Sequence, residues 1–165
     1  MSAIFSPCRT WRYRLERDLG RTGPTVAILG VNPSTADEET NDQTIRKDIG
    51  FGQRLGWGRL IKGNMFAFRS TDIRGLRPLR NQDAVGLEND DHLERIMRDA
   101  DQVIAAWGPA SKLPLGLRRR WRAVAEIADL VGKPLWCFGT AGDGQPLHTL
   151  MLAYDTPLVR WRRPL

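Results

Sequence analysis

The run Val26-Ala27-Ile28-Leu29-Gly30-Val31-Asn32-Pro33-Ser34 constrains the fold more than any other segment. Four apolar residues are too few for a helix, and the β-formers among them predict a central parallel strand covered on both faces. Gly30 admits close backbone approach, and Pro33 fixes φ and removes a donor, so the chain leaves the sheet at its carboxyl edge there. Ligands of open α/β sheets bind at that edge, which makes Gly30, Asn32, Pro33 and Ser34 candidate site residues. The competing reading is an ordinary strand-to-helix turn in which Asn32 satisfies local backbone groups.

The remainder alternates between the two periodicities. Residues 37–42 form an acidic loop, and Asn41 or Asp42 is placed to cap a helix over 44–55 that ends at Gly56. A second strand is predicted over 60–66, then a long polar loop over 69–86, a helix over 88–100, a strand over 102–107, a helix over 116–130 and a strand over 134–138. This order predicts an α/β fold: a three-layer sandwich with a four-stranded parallel sheet between helices, joined by right-handed crossovers. The length fits one domain, residues 1–165.

Composition narrows the function. No apolar run approaches a membrane span, and the first residues lack the order of a signal peptide, so a cytoplasmic protein with no membrane partner is expected. Cys8 and Cys137, far apart, cannot make a four-thiolate zinc or iron–sulfur site. Asp37, Glu38, Glu39 and Asp42 are the one set that could gather magnesium, but carboxylates before a helix N-terminus are favoured by the macrodipole anyway, and no metal or other cofactor is expected.

The formal net charge of +6 sits at the ends of the chain: residues 1–30 hold five arginines and two acids, and residues 101–165 hold nine lysines or arginines and five acids. Arg118, Arg119, Arg120 and Arg122 surround Trp121, and Arg160, Arg162 and Arg163 surround Trp161, a mixture of cations and aromatics suited to phosphates and bases. Twenty-one arginines against four lysines favour planar, bidentate phosphate contact. A solvated arginine-rich helix face is the plainer reading.

Four strand ends gather at one edge: 30–33, 64–66, 106–108, and 139 onward through the loop to His148. Two amides, an aromatic and an imidazole thus meet without a nucleophilic Ser or Cys and without a phosphate-cradling lysine loop. Positioning and electrostatics are the chemistry left to them.

The segments Asn32-Pro33-Ser34-Thr35-Ala36-Asp37, Asn41-Asp42-Gln43-Thr44-Ile45-Arg46, Asn64-Met65-Phe66-Ala67-Phe68-Arg69-Ser70-Thr71, Glu88-Asn89-Asp90, Ala105-Ala106-Trp107-Gly108 and Gly144-Gln145-Pro146-Leu147-His148 resemble the bacterial and phage family catalogued as domain of unknown function 1643. That resemblance spans nearly the whole chain and implies no activity. More distantly, the order of strand ends is similar to the uracil-DNA glycosylase superfamily, whose first motif in the mismatch-specific branch is Gly-x-Asn-Pro-Gly, whose second strand ends in a base-reading Asn, and whose last strand leads to a His-Pro-Ser loop.

The second resemblance implies a uracil-DNA-glycosylase-like protein acting on the N-glycosidic bond of uracil or a modified base. Asn32 would orient the attacking water, Asn64 would bond the edge of an extruded base, His148 would stabilise charge on the departing base, and Phe66 or Trp107 would stack on it. Asp37, nearest the first motif, is the candidate carboxylate. Ser34 stands in place of the motif's second glycine, and Thr149-Leu150 in place of Pro-Ser. The implied partner is DNA, single-stranded or damaged, or a nucleotide. The alternatives are another nucleotide or modified-base processing enzyme of the same fold and a non-catalytic nucleic-acid-binding module.

Overall fold

The computed structural model describes all 165 residues and opens with a hairpin that the hydrophobic pattern does not announce. Ser2–Phe5 (β1) pairs antiparallel with Arg12–Asp18 (β2). The buried positions of β2 include Arg12, Arg14 and Arg17 beside Tyr13 and Leu15, so no alternation of apolar and polar residues marks it as a strand.

Thr25–Gly30 (β3) then forms as the sequence predicts, with Val26, Ala27, Ile28 and Leu29 fully buried. Gln43–Leu55 (α1) is the next element. Asp42 Oδ1 accepts from Ile45 N at 2.9 Å at its start, and Gly56 closes it in the left-handed region at φ 77°. Arg59–Asn64 (β4) comes next. The polar stretch 69–86 is not the continuous loop expected, because it holds a 3-10 turn at Ile73–Leu76 and a short helix, Asn81–Val85 (α2), that buries Ala84 and Val85. Asn89–Asp99 (α3), Gln102–Ala105 (β5), Arg120–Val131 (α4), Leu135–Cys137 (β6) and Val159–Arg160 (β7) complete the fold. Helix α4 starts four residues later than predicted, since Pro114 opens a separate 3-10 turn over Leu115–Leu117.

All seven strands join one sheet in the order β1-β2-β4-β3-β5-β6-β7. Its middle, β4-β3-β5-β6, is the parallel set read from the sequence, but β2 on one side and β7 on the other pair antiparallel. The sheet is therefore mixed and seven-stranded, not four-stranded and parallel. The two-residue β7 is exposed and too short to carry a pattern; the neighbouring Trp161 is buried edge-on against Trp107 and Trp121 and ties this strand to the core.

Strand periodicity sorts the core residues of the central strands into two clusters, and Leu15, Ala36 and Ile45 form a third, smaller one. Ala27, Leu29, Ile61, Val103 and Ala105 face α3 and α4, while Val26, Ile28, Leu60 and Ile104 face Phe51 of α1 together with Trp57 and Phe138. The chain leaves β3 toward β4 on one side and returns from β4 to β5 on the other, so the connections diverge between the carboxyl ends of β3 and β5 and open a crevice there. No helix is long and apolar enough to cross a membrane.

Candidate functional site

A cleft of about 650 Å³ lies in that crevice. The turn after β3 contributes Val31, Asn32 and Ser34, the first turn of α1 Thr44 and Arg46, the segment before the 3-10 turn Ser70 and Asp72, the end of β5 Trp107 and Gly108, and the last long loop His148. Beneath it a cavity of about 30 Å³ is lined by Gly30, Lys62, Asn64, Arg12, Asp42 and His148. Asn32, Asn64 and His148, drawn from three strand ends, thus share one wall system.

Gly30 is required at the bottom of the turn by proximity: a Cβ there would lie 2.8 Å from Asn64 Oδ1 and 3.2 Å from Lys62 Cε. Asn32 does part of what the plainer reading expects. Its Nδ2 donates to Ser70 O at 2.9 Å and to Pro33 O at 3.2 Å, which binds the 70–73 segment to the turn and leaves Oδ1 without a hydrogen-bond partner in a residue that lines the cleft. Asn64 is 2 % exposed, and its Nδ2 has no protein acceptor. Its backbone oxygen accepts from Asn89 Nδ2, so α3 fixes the end of β4 from below.

His148 enters through a loop closed by Gly108 N donating to Pro146 O and Leu147 N donating to Gly139 O. Its Nδ1 accepts from Leu150 N at 3.2 Å, so the neutral ring carries its proton on Nε2. Burial, reinforced by the positive charge of Lys62, pushes its pKa down to about 4. Lys62 Nζ is paired with Asp48 Oδ2 at 2.7 Å, and Thr149 Oγ1 donates to Asp48 Oδ1 at 2.6 Å, a buried network joining β4, α1 and the residue after His148.

The depressed pKa has a consequence for stability. Between the ordinary 6.5 and about 4 the unfolded chain takes up a proton at His148 that the folded chain refuses. The stabilisation is complete above pH 6.5 and is lost as pH falls toward 4, by on the order of 3 kcal/mol. Urea unfolding of the wild type and of His148→Asn across this range checks it: the difference in pH slope between the two should be concentrated between pH 6.5 and 4, and parallel slopes would refute it.

Other expected site residues lie elsewhere. Phe66 is fully buried in the core on the α3 and α4 side and does not reach the cleft. Pro33 is buried, its carbonyl taken by Ser70 N. Asp37 accepts from the amides of Glu39 and Thr40 and is held below the usual carboxylate range by them, as a turn cap outside the cleft. The acidic loop as a whole is pinned to the sheet: Arg17 bonds Asn41 Oδ1 and the carbonyls of Asp37 and Thr40, Arg12 bonds Ala36 O, and Arg9 pairs with Glu38. Of the acidic loop's carboxylates Asp42 alone lines the cleft, which Asp72 borders as well. Trp107 lines the cleft, but its Nε1 donates to Gln145 Oε1 at 2.8 Å and Trp161 packs edge-on against it, so it is a fixed wall.

The arginine clusters divide in the same way. Arg120 is buried, bonding Met65 O and Asp90, so it holds the end of β4. Arg118 bonds the carbonyls of Leu113 and Ser111, and Arg163 pairs with Asp129 and bonds Ala125 O. Trp121 is half-buried against Trp161. Arg119, Arg122, Arg160 and Arg162 are exposed.

Sequence reasoning missed Arg12, Lys62 and Asp48, and missed Arg46 and Lys112 at the mouth. One signal was available for Lys62: it interrupts an apolar strand run, Leu60-Ile61-Lys62-Gly63-Asn64-Met65, where a solvated lysine has no place.

Residues 12–150 match the protein family described as "Protein of unknown function (DUF1643)". No curated protein and no solved structure matches the chain. The matched stretch includes Asn32, Asn64 and His148 and leaves out β1 and β7.

Proposed function

The chain belongs to the DUF1643 family, and for this member we propose a uracil-DNA-glycosylase-like activity in which the cleft takes a nucleotide extruded from DNA and hydrolyses the bond between base and sugar. The observation that supports this reading is the convergence of Asn32, Asn64 and His148, from three separate strand ends, on one cleft with its cavity beneath.

A glycosidic bond breaks with its electron pair departing on the base, so the barrier falls when a fixed donor meets that charge. The Nε2–H of neutral His148 is such a donor. Water adds its oxygen to the sugar carbon; Asn32 Oδ1 accepts one of its hydrogens and orients it, and the Asp42 carboxylate takes the proton it releases. Asn64 Nδ2 meets the edge of the base. Arg46, in the first turn of α1 at its positive end, and Lys112 both line the cleft and suit the phosphates on either side.

The test is release of base. Single-stranded and mismatched oligonucleotides containing uracil or hydroxymethyluracil should yield alkali-labile abasic sites faster than a fully paired duplex, because an unpaired base costs less to extrude. No release from any of these substrates overturns the reading.

DNA binding has its own expected signature. Arg119→Ala with Arg122→Ala should weaken binding to all sequences alike and lower the slope of log K against log salt by roughly 0.9 for each duplex phosphate left without its arginine. Salt titrations by fluorescence anisotropy read this directly, and an unchanged slope assigns the two side chains to solvent.

A further inference from the structure

The most unusual charge in the molecule is Arg12. It is 2 % exposed, its one hydrogen bond runs from Nη1 to Ala36 O at 2.8 Å, and its Nε is buried without an acceptor. A guanidinium offers five donors, and proteins seldom bury one so incompletely satisfied. Burial lowers its pKa to about 10, which leaves it charged at neutral pH.

A β-bulge delivers it there. Phe5 lies opposite Arg12 and Ile4 opposite Arg14, so Tyr13 is an extra residue and the alternation of faces resets between the two arginines. Arg14 goes to Asp99 of α3 at 2.8 Å, while Arg12 goes to the α1 side and into the cavity under the cleft. Without the bulge, Arg12 and Arg14 would share a face.

The two side chains that carry unpartnered donors, Arg12 through Nε and Asn64 through Nδ2, line the same small cavity. Its volume, about 30 Å³, admits the tip of a ligand and not a phosphate group. The charges around it balance, Arg12 and Lys62 against Asp42 and Asp48, so a full anion gains nothing there.

Resting on the reading of the cleft as a nucleobase site, we propose that Arg12 is a specificity-determining residue that, with Asn64, selects a ligand whose buried end carries a neutral carbonyl oxygen and rejects one carrying an amino group. An oxygen accepts from both donors. An amino group leaves both unpaired and adds a third donor facing them, and a buried donor without a partner is the strongest basis a site has for refusing a near-isosteric ligand.

Calorimetric binding of the nucleosides uridine, cytidine, inosine and adenosine to the full chain tests this without any chemistry. Uridine and inosine should bind about tenfold tighter, or more, than cytidine and adenosine. Arg12→Met, of similar length and without donors, should bring each ratio to within about twofold, and Arg12→Lys should lower it. A wild-type ratio near one, or no binding by any of the four, overturns the proposal, as does a folded Arg12 variant that keeps the full ratio. Should neither variant fold, a shift of a buried arginine Nε–H resonance on adding uridine but not cytidine supports it, and an equal shift or none overturns it. Selective binding without base release would leave the carbonyl-selecting site standing and remove the glycosylase reading.

Discussion

Alanine in place of His148 is expected to slow release of the base by about 10²–10³-fold in single-turnover assays on uracil-containing single strands, with DNA affinity within about twofold of wild type. The size comes from what the ring offers. It is neutral, with Nδ1 occupied by Leu150 N, so Nε2–H is a fixed donor whose worth rises as charge develops on the leaving base and is small in the ground state. His148 is also the cleanest residue to remove. Asn32→Ala would free the Ser70 carbonyl, leave the Pro33 carbonyl with Ser70 N alone and loosen the 70–73 segment, so a lower rate there would mix chemistry with collapse of the cleft wall. The companion measurement is a urea midpoint for His148→Ala at pH 8, where the ring is neutral in both folded and unfolded chains. An unchanged rate with a normal midpoint would take His148 out of the chemistry.

The parts of the fold legible in the sequence are those where one physical signal acts alone. Val26 to Leu29 reads as a buried strand because nothing polar interrupts it, and α1 reads correctly at both ends because Asp42 caps it and Gly56 takes the left-handed conformation that stops it. The gathering of Asn32, Asn64 and His148 is legible because parallel strands of alternating β and α elements place their carboxyl ends together. The strand β2 is illegible because its buried face is made of arginines whose acceptors, the carbonyls of residues 36, 37 and 40, are distant in sequence. The same blindness affects the arginine clusters. Arg119 and Arg120 are neighbours in a basic run, yet one is exposed and the other reaches the carbonyl of Met65, and only the position of the strand end decides between them. Charge in a sequence reports how many cations there are, and tertiary acceptors determine how many remain for a partner.

Asp48→Ala is expected to lower the stability of the fold by about 3–5 kcal/mol, a large part of the roughly 5–15 kcal/mol that holds a domain together. Asp48 is fully buried, and its two oxygens are the acceptors for Lys62 Nζ and Thr149 Oγ1. Removing it strands an ammonium that is 4 % exposed and a buried hydroxyl with no other partner. Lys62→Met with Asp48→Asn removes both charges at similar volume, keeps an acceptor for Thr149 and should recover most of the loss, because the desolvation cost disappears together with the attraction. Urea unfolding at pH 7 reads both variants as a change in midpoint at constant slope, and a loss below about 1 kcal/mol for Asp48→Ala would mean that Lys62 finds solvent. The pair also touches His148, whose pKa is lowered first by burial: the charge of Lys62 lowers it further, the charge of Asp48 raises it, and Asp48 holds the residue next to it. The double variant should therefore be nearly as stable as wild type while its histidine titration moves only slightly upward, by the difference between the two opposing charges, separating what this buried pair does for the fold from what burial does for His148.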